Sequence, residues 1–281
     1  MFAKVLEEWK LKVMKMTRKS GGIFITITII AIILFSTVII AKHYIREQQI
    51  SKNIMQKEKE REYMAQEAIN LINTYMKIYT PERVYNAIYQ YTKTQPNLTV
   101  RDVFYTNFLY GSLNHRKDLI DVLNITIDLN HRAGSPEKFI LEDRVGDSVD
   151  YAFTSLALYD YAIKHYKEFG YEYTIPEKYA SNYSVCMIYV KAKSNETKQT
   201  HYLMFTMIKT HKMFNSLPII MTWDFETTYK YGNPHDFLWV VDHFLKQKYN
   251  MTVDNYVYIE MRIVNNNYRI IGRVNECKEE V

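Results

Sequence analysis

Arg144-Val-Gly-Asp-Ser-Val-Asp-Tyr-Ala-Phe-Thr-Ser-Leu-Ala-Leu-Tyr-Asp-Tyr-Ala-Ile-Lys-His-Tyr-Lys-Glu-Phe-Gly170 reads as one helix around which the rest of the chain is organised. Val149, Ala152, Phe153, Leu156 and Ile163 recur at three and four residue spacing, so one stripe is built to pack on a core. Asp147 or Ser148 is the expected N-cap, Asp150 adds negative charge to the first turn, and Gly170 closes the far end. A hydroxyl at the positive end of such a helix, just after Gly146-Asp147, sits where backbone N–H groups can stabilise a developing anion.

The sequence changes grammar after this helix. Tyr183 to Lys193 is β-rich, Ser194 to Thr197 is a turn, and from His201 to Lys209 apolar and polar residues alternate, with His201, Leu203, Phe205 and Met207 on one face. Pro218 to Asp224 reads as a third strand, 234–248 as a helix, and Tyr256 to Val264 with Tyr268 to Val274 as two closing strands. Upstream, Thr80-Pro81 opens a helix with a cap and a proline at its first position. Further short helices are expected at 100–110 and 119–129, followed by a Gly134-Ser135-Pro136 loop. The expected fold class is α+β, with helices first and an antiparallel sheet after them.

Gly146, Asp147 and Ser148, then His201, then Asp224 stand in an order that resembles the transglutaminase-like branch of the papain-like fold, over roughly residues 80 to 230. In that family a Gly-x-Cys motif puts a nucleophile at the first turn of a core helix, and strands deliver a His and then an Asp. The resemblance implies a catalytic triad of Ser148, His201 and Asp224, in which His201 takes the hydroxyl proton and Asp224 fixes the imidazole tautomer. Ser148 stands where the family has Cys, and Leu203 where it usually has Trp. A hydroxyl is almost wholly neutral at pH 7, whereas a thiol beside His is readily a thiolate, so the expectation is a site that has lost catalysis. Each member also has a plain structural explanation: Ser148 as a helix-start residue, His201 as a hydrogen-bonded core residue, and Asp224 as a turn cap.

Gly22 to Ala41 carries no charge and is long enough, as a helix, to span a bilayer core of about 30 Å. It reads as a single uncleaved transmembrane signal anchor. Lys10, Lys12, Lys15, Arg18 and Lys19 precede it, against Lys42, Arg46 and Lys52 after it, which sets the N-terminus inside and the domain outside. The expected organisation is a basic tail over 1–21, the span over 22–41, a helical stalk over 42–79 and an extracytoplasmic domain over 80–281. Phe2, Val5, Leu6, Trp9 and Val13 share a loose face among lysines, which suits a tail lying on anionic headgroups.

The chain of 281 residues has room for one sizeable core, and its +5 formal charge is spread out, which argues against a dedicated nucleic-acid binder. Sequons at Asn97, Asn124, Asn182, Asn195 and Asn250 all follow the apolar stretch, so a glycoprotein is compatible with that topology. Cys186 and Cys277 are the only cysteines. Either they close one disulfide loop of roughly 90 residues, worth about 4.5 kcal/mol on the chain-entropy model, or Cys186 is a buried strand residue and Cys277 a free tail thiol. No spacing suggests a zinc site, and neither metal nor cofactor is expected.

Three functions follow as expectations. The first is a membrane-anchored protein with a transglutaminase-like domain that has lost its activity and serves binding or assembly at a cell envelope or virion surface, with the lipid bilayer and a protein as partners. The second is a membrane-tethered amidase or peptidase using Ser148, His201 and Asp224. The third follows from the order of tail, anchor, helices and sheet, which also looks like the assembly subunits of secretion machines that carry a cone-shaped α+β domain and no active site.

Overall fold

The computed structural model describes residues 7–12, 23–108, 119–165, 168, 182–209, 219–221, 237–264 and 267–275, with backbone alone described over 23–31 and a few other positions. The chain divides into two units, Met1–Lys59 and Glu60–Val281. Asp224, the third member of the expected triad, falls outside the described residues.

Helix α1 runs over Ile23–Ile78. The expected membrane-spanning helix over 22–41 is corrected: among the described residues, no helix is long and apolar enough to cross a membrane. Helix α1 carries Lys42, Arg46 and Glu47 in the turns after Ala41. Ser36 and Thr37 within it donate their hydroxyls back to the carbonyls of Ile32 and Leu34.

In the second unit the end of α1 and the residue after it bury a periodic face of Met64, Ala68, Ile72, Tyr75 and Tyr79. Thr80 then caps α2 (Pro81–Lys93), its hydroxyl oxygen accepting from Arg83 N, and Val84, Ile88 and Tyr91 face the core. Helix α3 spans Val100–Phe108 and α4 only Leu119–Leu123. The expected helix over 119–129 stops early because Asn124 turns left-handed at φ +50°, after which β1 (Thr126–Ile127) begins. A π-helical turn at Lys138–Glu142 follows, then β2 (Val145–Gly146), which pairs in parallel with β1. The π turn and this two-residue ladder carry no periodicity that a sequence can show.

The central helix α5 is Ser148–Lys164, shorter at both ends than the 144–170 expected from its stripe. Arg144 at φ +53° and the β1–β2 pairing occupy the residues before it, and His165 is the C-cap in place of Gly170. Strands β3 (Asn182–Ser194), β4 (Thr200–Lys209) and β5 (Ile219–Met221) follow, then α6 (Phe237–Tyr249), β6 (Met251–Val264) and β7 (Asn267–Val274). They form one antiparallel sheet in the order β5-β4-β3-β6-β7.

Side chains alternate across this sheet and sort the helices into two layers. Phe205 of β4 meets Phe244 of α6 edge-on at 6.1 Å, so the face with Val190, Leu203 and Phe205 turns to α6. Tyr189, Ile259 and Met261 belong to the opposite face, which turns to α1 and α5. Met261 shares a cleft there with Ile72 and Asp160. Cys186 is fully buried in β3 and disulfide-bonded, and Cys277 is the only other cysteine of the chain.

Candidate functional site

The start of α5 is fastened from several directions. Asp147 is its N-cap: Oδ1 accepts from Val149 N at 2.8 Å and Asp150 N at 3.2 Å, satisfying two of the orphan donors of a helix start. Asp150 reaches back to accept from Asp147 N at 3.1 Å, which completes a capping box. Ser148 is therefore the first residue of the helix and not its cap.

Its hydroxyl is committed to the sheet. Ser148 is completely buried, and its Oγ accepts from the backbone N–H of Met204 in β4 at 3.0 Å. Among the described residues strand β5 pairs with β4 from Thr206 to Ile208, and Met204 lies two residues before that stretch on β4. Ser148 satisfies there a buried N–H that would otherwise cost about 1–3 kcal/mol.

His201 lies on the other side of the strand. It alternates with Leu203 and Phe205 on the face turned to α6, whereas Met204 pairs with Tyr189 on the face turned to α1 and α5. The imidazole is mostly buried, and burial holds its pKa below the ordinary histidine value, so the ring favours the neutral form. Among the described residues no hydrogen bond joins His201 to Ser148. The structure thus brings Ser148 to the β4 backbone, puts His201 on the far face of the same strand, and leaves Asp224 outside the described residues.

The strongest polar constellation is one that sequence reasoning passed over. Asp150 is fully buried, and its carboxylate accepts from Tyr79 OH at 2.6 Å, Ala133 N at 2.8 Å and Gly134 N at 3.0 Å besides Asp147 N. Asp147 Oδ2 accepts from Arg132 Nε at 2.6 Å. Burial and the Asp150 charge raise the pKa of Tyr79, and burial likewise raises those of Tyr75 and Asp147, with Arg132 opposing the shift at Asp147. The Arg132 guanidinium loses something to burial but gains more from Asp147 and stays firmly protonated. This cluster binds the end of α1, the 132–134 loop and the start of α5 together, and every oxygen of Asp150 is occupied by protein. The readable signal was the Asp147–Asp150 spacing, which is that of a capping box.

A cleft of about 320 Å³ opens elsewhere on the same helical side. Ile72, Met76, Met261 and Ile270 give it an apolar floor, Lys77, Thr80 and Glu82 form part of its rim, and Asp160, ion-paired to Lys164 at 2.7 Å, lies in its wall. Among the described residues no group of three or more His, Cys, Asp or Glu is placed to hold a metal.

No family model, curated protein or solved structure matches the chain. The functional assignment therefore rests on the geometry of these sites.

Proposed function

We propose that the Glu60–Val281 unit is a non-catalytic binding or assembly domain whose scaffold resembles the transglutaminase-like core, with the helix-start hydroxyl turned from nucleophile into a latch between helix and sheet. The observation that carries this reading is the hydrogen bond from Met204 N to a fully buried Ser148 Oγ. A nucleophilic hydroxyl must be reachable by substrate and must share its proton with a base. Ser148 is shut off from solvent and accepts from a backbone amide, and among the described residues no base is hydrogen-bonded to its hydroxyl. The disulfide at Cys186 favours work outside the reducing cytosol, at a cell or virion envelope with a protein partner.

The rival reading, an amidase or peptidase acting through Ser148, is tested by exposing the full chain to a fluorescent serine-directed phosphonate. No labelling above a denatured control is expected. Labelling of the folded chain that disappears in Ser148→Ala overturns the non-catalytic reading.

A further inference from the structure

Strand β7 is the outer strand of the sheet, and no described strand lies beyond it. Tyr268 and Ile270 turn from it into the cleft described above, beside Met261 of β6. On the opposite face of β7 lie Arg269, which is exposed, and Ile271, which is 46 % exposed. At Gly272, with φ +123°, the ladder with β6 shifts register opposite Glu260 and Met261 and leaves Ile271 unpaired, so the regular part of the edge is Asn267 to Ile270.

Two features of this edge ask for a partner of particular chemistry. Arg269 stands directly across from Arg262 of β6, and like charges facing each other in a sheet repel. Glu260 engages Arg262 at 3.4 Å, but among the described residues Arg269 has no acidic neighbour in an ion pair, and the same is true of Lys77 at the mouth of the cleft. The charges inside the cleft balance more nearly, with Glu82 beside Lys77 and Asp160 held by Lys164. The surplus positive charge is therefore on the outer face of β7, and the apolar floor is on the inner one. Strand addition joins such halves, because backbone hydrogen bonds along an edge present alternate side chains to alternate faces.

We propose that β7 and the cleft beside it form a docking site for an extended segment of a partner protein in which acidic and apolar side chains alternate. The segment pairs with the outer edge of Asn267 to Ile270, sets its acidic side chains against Arg269, and lays an apolar side chain beside Tyr268 and Ile270. This inference rests on the reading of the domain as a binding module and gives that module a site.

The test uses the full chain and a fluorescent, end-blocked hexapeptide of alternating Glu and Leu, followed by anisotropy. Binding is expected, with slowed amide exchange at 267–270. Arg269→Glu, an exposed change, is expected to weaken binding by about tenfold or more, and an analogue N-methylated at alternate residues is expected not to bind, because it cannot complete the ladder. Absence of binding to the unaltered chain, equal binding by Arg269→Glu or by the N-methylated analogue, or unchanged exchange at 267–270 would each overturn the proposal. None of these outcomes touches the non-catalytic reading, which falls only to phosphonate labelling at Ser148.

Discussion

Asp150→Ala is expected to destabilise the domain by about 3–5 kcal/mol, the range for uncovering the partners of a fully buried, hydrogen-bonded charge. Three backbone amides, of Ala133, Gly134 and Asp147, and the Tyr79 hydroxyl converge on this one carboxylate. Alanine leaves all four donors without the carboxylate that satisfies them. The loss falls on three segments at once, because those donors belong to Tyr79 just after α1, the 132–134 loop and the cap of α5. Asp150→Asn separates charge from shape: the side-chain amide fits the space, but its NH₂ faces N–H donors, so it rescues only a part. Urea unfolding of the three proteins checks this, and a midpoint for Asp150→Ala within error of the parent would show that the cluster does not hold these elements together.

Gly146→Ala is the second large effect, about 3 kcal/mol of destabilisation, at the upper end for an added methyl group in a packed core. The reason is space and not backbone freedom. A Cβ at this position would stand 2.6 Å from Phe139 Cε2 and 2.9 Å from Asp150 Oδ2. Phe139 is fully buried in the π-helical turn and has no room to withdraw, and Asp150 is fixed by its four donors. Gly146 also pairs with Ile127 in the parallel ladder, so moving its backbone disturbs β1. Trimming the opposing ring tests this cause: Gly146→Ala with Phe139→Leu should lose less than the sum of the two single changes in unfolding free energy. Strict additivity would place the strain elsewhere.

Much of the fold was legible where a period ran long enough to be counted. Thr80-Pro81 announced α2, the alternation from His201 onward announced β4, and the Ser194 to Thr197 turn separated β3 from β4 as expected. The boundaries failed where backbone conformation outranked pattern: Asn124 and Arg144, both left-handed, ended or delayed helices that their side chains would have continued. The apolar run of 22–41 illustrates a different limit. Composition alone predicted a span, whereas among the described residues no helix is long and apolar enough to cross a membrane.

The site was legible in its parts and not in its assembly. Ser148 does open the central helix and His201 does lie on an apolar strand face, as the sequence indicated. Which side of β4 each would occupy depends on how the helices sort onto the two faces of the sheet, and no local motif encodes that. The bond from the Met204 amide to Ser148 is likewise a property of the whole sheet. It explains a buried serine at a helix start without appeal to catalysis.

The measurement that bears most directly on the latch is amide hydrogen exchange at Met204 in the parent and in Ser148→Ala. The account predicts a protected amide in the parent and exchange faster by roughly tenfold to a hundredfold in Ser148→Ala, as expected for losing a buried bond worth about 1–3 kcal/mol, while the β3–β4 amides away from the edge change far less. Exchange at Met204 that is indifferent to the loss of the Ser148 hydroxyl would mean that no latch exists, and would return the buried serine to the list of candidate nucleophiles.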